Sequence, residues 1–301
     1  MNKIINLWLF IIIFAVIISS CTDRVDLDQL AGNNSRLVVY AFPTEGDTIE
    51  ITVTQIYPMN RKMPPLSIGS VSCTTNNASD RIVNRGDTID NGMTIGRFLA
   101  IGSHQCGDSI TIAVKADGLP DAYGGTVIPQ KPTIGRARLD TASYKGDNYP
   151  VVRLEMHDNQ STKYYAARID GRNEDSEEFL PLNAGAEPLL NNTSNTEFDF
   201  GDWNADYYRN IYNFSNEDLT DGRATLHLYV DVLSSGFFYQ YRPHLLALSA
   251  EYNNMLHSLN DINNNDLGKY GLAFAYSTYT NVHGGYGCIG AYSETVGDWL
   301  K

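Results

Sequence analysis

"GGYGCIG", residues 284–290, poses the choice that decides the fold. Gly285, Gly287 and Gly290 stand at the G-x-G-x-x-G spacing of a loop that cradles a dinucleotide pyrophosphate. That reading needs a strand before the loop, a helix after it and an acid about 20 residues further on. Only "AYSETVGDWLK" follows Gly290, which leaves no room for a βαβ unit. The alternative is a glycine-rich final strand, where missing side chains permit a bulge or a close approach of two backbones. The remainder of the chain favours this second reading.

Working outward, the dominant period is two. Ile49, Ile51 and Val53 alternate with Glu50, Thr52 and Thr54, and Ile110, Ile112 and Val114 with Thr111, Ala113 and Lys115. Further on, Val152, Leu154 and Met156 alternate with Arg153, Glu155 and His157, and Leu226, Leu228, Val230 and Val232 with His227, Tyr229 and Asp231. Such runs send one set inward and the other to water, and the turn-rich pieces between them describe antiparallel sandwiches. Pro129 and Pro132 mark a linker, because proline lacks an amide donor and restricts its predecessor. One helix is expected: Ser249 can cap it, and Tyr252, Met255, Leu256 and Leu259 fall on one face. The expected fold is therefore mostly β, with two β-sandwich-like (Ig-like) domains, the second carrying one short helix. The expected organisation is a leader over 1–20, a polar tether over 21–35, an N-terminal sandwich over 36–128, a proline linker over 129–136 and a C-terminal β domain over 137–301.

The N-terminus speaks to location. Lys3 precedes the apolar run "LWLFIIIFAVII" (7–18), which is followed by "ISSC" ending at Cys21. A positive start, an apolar core and small residues before a cut describe an export signal. The run falls short of the about 20 residues of a comfortable membrane span. The ending resembles the lipobox of bacterial lipoproteins, whose cysteine thiol receives a diacylglyceryl group before cleavage. The expectation is a protein anchored to a membrane through lipid on Cys21, because two or more acyl chains hold stably.

The net charge of −13 argues against nucleic acid, whose phosphates would repel the chain. An exported chain meets an oxidising compartment, so Cys73 and Cys106, both in the first domain, are a disulfide candidate. Three free buried cysteines, Cys288 included, are the other reading.

Catalytic and metal signatures do not assemble. G-x-S-x-G, H-E-x-x-H and C-x-x-C are missing from the sequence, so no catalytic residue, no cofactor and no metal ligand is assigned. The segment 261–272 starts like an EF-hand loop but carries Asp266 and Leu272 where glycine and glutamate are required. His157 and His227 lie at outward strand positions, and the six histidines read as surface groups rather than ligands. The best binding clue is aromatic: Trp203, Tyr207, Tyr208 and Tyr212 crowd a polar stretch, and such rings give contact area at low entropy cost. The competing reading places them in the core.

A family resemblance follows from several of these pieces. "TNVHGGYGCIGAYS" (280–293) resembles the closing signature of the Bacteroidetes outer-membrane lipoproteins grouped as domain of unknown function 4249. "LSAEYNNMLHSL" (248–259), "FSNEDLTDGRATLHLYVD" (214–231), "TVIPQKPTI" (126–134) and "CTDRVDLD" (21–28) resemble, in order, its helix, its turn-and-strand stretch, its proline linker and its start. The chain departs from the pattern at "HDNQSTKYY" (157–165). The resemblance implies a non-catalytic accessory or ligand-binding lipoprotein at the outer membrane, facing periplasm or cell surface, beside a TonB-dependent transporter. Its small-molecule, glycan or peptide ligand is unspecified. An adhesion or structural module, and more remotely a hydrolase, are the alternatives.

Overall fold

The computed structural model describes residues 35–57, 65–90, 92–158, 160–174, 176–182, 211–232, 236–263 and 277–301. The expected mostly-β architecture is what is found: seventeen short strands and one α-helix among these residues.

The first sandwich has two sheets. One carries, side by side, β16 (Tyr286–Ile289), β1 (Arg36–Ala41), β2 (Gly46–Ile56), β6 (Met93–His104) and β5 (Arg81–Asp90). The other carries β4 (Ala78–Ser79), β3 (Ile68–Thr75), β7 (Ser109–Ala116) and β8 (Ala122–Val127). The period-two pattern translates directly into burial. Ile51, Val53, Ile110, Ile112 and Val114 are all fully buried and meet in one core with Leu37, Val39 and Ile289. Each such side chain contributes about 1.5–3 kcal/mol by leaving water. The turn between β3 and β4 places Asn76 and Asn77 at φ 49° and 69°, the left-handed pair that lets a two-residue turn match the strand twist.

The second sandwich faces β14 (Arg223–Tyr229), β10 (Asp147–His157) and β9 (Thr133–Tyr144) against β12 (Glu177–Phe179), β11 (Tyr164–Arg172), β15 (Gln240–Leu248) and β17 (Tyr292–Val296). A further strand, β13 (Tyr212–Ser215), continues along the β12 edge of β11. Between the sheets lie Val152, Leu154, Met156, Ile169, Leu226, Leu228 and Leu245.

Helix α1 (Ala250–Asn263) covers the far face of β11 and β15, burying Ala166, Leu246, Leu248 and Leu256. It begins where the sequence places its cap. Ser249 Oγ accepts from Tyr252 N at 3.2 Å, and Glu251 in the first turn suits the positive end of the helix.

The segment after α1 does something that neither sandwich pattern anticipates. β16 runs parallel to β1, with Val39 opposite Gly287 and Ala41 opposite Ile289, while His283 bridges to Tyr123 of β8. The final residues thus join both sheets of the first sandwich before β17 returns to the second. The first sandwich is built from 36–127 together with 286–289, and strand pairing crosses the division that the sequence suggests.

The glycine loop is accordingly a packing device. Gly287 has φ +108°, and a Cβ there would lie 2.1 Å from Val39 O. A Cβ on Gly290 would lie 2.7 Å from Tyr252 N, at the start of α1.

Candidate functional site

Cys21, Trp203, Tyr207 and Tyr208 lie outside the described residues, as does most of the calcium-like segment. Tyr212 is described and is 1% exposed within the second core. Its ring fills the sandwich and offers nothing to a ligand, which corrects its reading as a binding residue. β13 alternates Tyr212 and Phe214 inward, so the aromatic spacing there was strand periodicity.

Cys73, Cys106 and Cys288 are all free thiols in this structure. Burial, then Asp80, pushes the Cys73 thiol well up. Burial, then Glu251, pushes Cys288 up to about 12, and its Sγ lies 3.6 Å from Glu251 O. Neither is poised as a nucleophile, because the thiolate is the reactive form.

Two histidines read as surface groups are buried. His104 is 0% exposed. Its Nδ1 lies 3.1 Å from Gly46 O and its Nε2 3.4 Å from Asp80 Oδ2, and Asp80 also accepts from Thr75 Oγ1 at 2.9 Å. His244, 4% exposed, sits between two carboxylates: Nδ1 is 2.7 Å from Glu294 Oε1 and Nε2 2.8 Å from Asp170 Oδ2.

Around His244 the outward positions of three strands converge. Arg242 donates to Asp170 at 2.6 Å and also pairs with Glu177. Arg168 donates to Glu294 at 2.8 Å, and Arg172 donates to Gln240 at 3.0 Å. The guanidinium groups of Arg172 and Arg242 lie 4.3 and 4.4 Å from the Trp299 ring centre, and that of Arg168 lies 4.0 Å from Phe179. These are cation–π distances. Burial alone would raise Glu294, but the His244 hydrogen bond and the Arg168 charge outweigh it and hold the carboxyl below its ordinary value. Asp170 lies against Arg242 and one ring nitrogen of His244, and Glu294 against Arg168 and the other, so this cluster ties β11, β15 and β17 together rather than awaiting a substrate. Its sequence signal, Arg168-x-Asp170-x-Arg172 and Arg242-x-His244 alternating with apolar residues, was present but reads as an ordinary solvated face.

The roomier feature is a cleft of about 520 Å³ between the sandwiches, within the size range of ligand pockets. One wall brings Thr111 of β7 and Thr126 of β8, and the other Thr162, Lys163 and the start of α1 with Glu251. Thr126 Oγ1 donates to Glu251 Oε2 at 3.0 Å, tying the walls at one side, and Thr162 Oγ1 donates to Leu248 O at 3.0 Å. Lys163 pairs with Glu217 at 2.7 Å. Hydroxyls, one carboxylate and one amine beside Ile110 and Leu248 suit a polar ligand with some apolar surface. Among the described residues no group of three His, Cys, Asp or Glu could hold a metal ion, and no helix is long and apolar enough to cross a membrane.

Comparison with known proteins adds one finding. The family model described as domain of unknown function DUF4249 matches residues 22–297. No curated protein matches the chain. With its glycine-bearing strand β16, its capped helix α1 and its paired sandwiches inside that match, the chain belongs to the DUF4249 family.

Proposed function

We propose that this protein is a lipid-anchored, non-catalytic accessory of a bacterial outer membrane, of the Bacteroidetes lipoprotein type, that holds a ligand for a neighbouring TonB-dependent transporter. The observation that carries the reading is the coincidence at Cys21. A charged start, an apolar run and small residues end on this cysteine, and the family match begins one residue later, as a mature chain cut before Cys21 would. The inter-sandwich cleft supports the binding half of the reading, since its mixed hydroxyl and charged lining suits a glycan, a peptide or a small polar molecule.

The test replaces Cys21 with serine in the full chain. The parent is expected to partition with membranes at a mass that includes acyl chains and lacks residues 1–20. The variant is expected to lose the acyl mass and the cut. Unchanged processing and partitioning in the variant would sink the anchor. Co-purification of the acylated parent with an outer-membrane transporter in mild detergent tests the partner, and recovery of the chain alone at every detergent strength counts against it.

A further inference from the structure

The cleft between the sandwiches is bordered by an unfinished sheet edge. β8 is the last strand of its sheet, paired along its length with β7 alone. On its other side Tyr123 N donates to His283 O at 3.0 Å, and Tyr123 O accepts from His283 N at 2.8 Å. Tyr123 therefore turns its backbone away from β7. Ile128 N, five residues on, donates back towards β7, to Asp108 O at 3.0 Å. Backbone groups alternate in direction along a strand, so Gly125 and Val127 share the outer edge with Tyr123. Asn281 Nδ2 answers Gly125 O at 3.2 Å. The Gly125 N–H and both backbone groups of Val127 make no hydrogen bond among the described residues. Gly125 and Val127 line the cleft, and Val127 is 51% exposed.

The charges of the cleft are also incompletely answered. Among the lining residues Glu251 is the one carboxylate and Lys163 the one amine. Lys163 pairs with Glu217, outside the lining. Glu251 uses Oε2 to accept from Thr126, while its Oε1 has no hydrogen bond among the described residues. A sugar ring finds little to stack on, because Tyr164 is the one aromatic of the lining and its ring already carries the Lys163 amine at 5.8 Å.

We infer that the cleft takes an extended peptide, which adds a strand to the free edge of β8 and directs a cationic group, an amino terminus or a basic side chain, at Glu251. Unpaired edge groups are the template that an added strand completes, its main-chain hydrogen bonds giving affinity. A segment of about three residues spans Gly125 to Val127, since the groups on one edge repeat every second residue. The inference rests on the ligand-holding half of the function proposed above and is independent of the anchor and of the transporter.

Equilibrium dialysis of the full chain in detergent against a tryptic digest of casein tests it, with bound peptides identified by mass. Each such peptide brings a free amino terminus, and nearly all bring a terminal Lys or Arg. Saturable binding of a subset is expected. Thr111→Trp, which fills the cleft from an exposed strand position, should abolish it. Val127→Pro removes an edge amide that the fold does not use and should weaken it at least about tenfold. Glu251→Gln, which keeps an acceptor for Thr126, should weaken it as well. A bound peptide remade with N-methyl groups reads the added strand without altering the protein: methylation of one alternate set of amides should abolish binding, and of the other set preserve it. Absence of saturable peptide binding, or equal binding of the two methylated forms, would overturn the inference. Maltohexaose is the second probe. Its saturable binding, lost in Thr111→Trp while no peptide is held, would keep the cleft as a ligand site and overturn the peptide. Failure of both probes would remove the cleft's ligand altogether.

Discussion

A missing Cβ sets the path of β16. Gly287 combines a left-handed φ with a backbone oxygen where its Cβ would stand. Gly287→Ala therefore incurs both strain and a clash, and a loss of at least about 2 kcal/mol is expected in urea unfolding. The G-x-G-x-x-G spacing was legible as something unusual. That it meets Val39, nearly 250 positions earlier, was not, because a side chain's absence says nothing about which backbone comes close. Tyr212 shows the opposite failure: its residue type suits a binding surface and a core equally, and only the pleat of β13 decides. Glu294 carries a pH signature. Its carboxyl is held below the ordinary glutamate value, so the folded state binds its proton less readily than the unfolded chain. The stability this contributes is present above the unfolded carboxylate range and is lost as pH falls through the folded value. Comparing urea midpoints from pH 7 down to pH 3, the parent should lose more stability than Glu294→Gln over the acid part of that range. An equal or steeper loss in the variant would contradict the direction.

At the scale of elements, α1 and the alternating strands were readable because their signals are local. Ser249 is a cap by type and position, and the four apolar residues three and four apart fix the buried stripe. The structure adds a second task for Ser249, since its Oγ also accepts from the buried Ala291 N at 3.0 Å. Ser249→Ala thus removes a cap worth about 1 kcal/mol and strands a buried donor at about 1–3 kcal/mol. A total of about 2–4 kcal/mol is expected by chemical denaturation, where a mere cap would give about 1 kcal/mol. β15 was harder to interpret. Arg242 and His244 break its apolar run, and only the register with β11 and β17 reveals that their polar groups are answered across the sheet. β16 was the least legible element, because four residues with a parallel partner at the far end of the sequence leave no turn or hairpin signal.

Across the whole molecule, the two sandwiches share a closing segment. Gly290 N donates to Ala41 O at 3.1 Å and Tyr292 N to Pro43 O at 3.0 Å, while Phe42 packs on Tyr252 with ring centres 4.9 Å apart. A chain ending at residue 279 keeps every strand of 36–127 but loses β16, the His283 bridge and β17. Limited proteolysis of this truncation is expected to cut within 36–127 at sites the full chain protects, and its core methyl resonances should lose dispersion. Retention of full protection would show that the first sandwich stands without its borrowed strand.

The parallel insertion of β16 also has a consequence for biosynthesis. The ribosome makes β1 about 250 residues before its partner β16. Until then β1 presents an unpaired row of amide and carbonyl groups, the kind of open border at which nascent chains pair wrongly. Pairing of that border therefore waits on β16, and a product terminated before β16 leaves the ribosome with it permanently open.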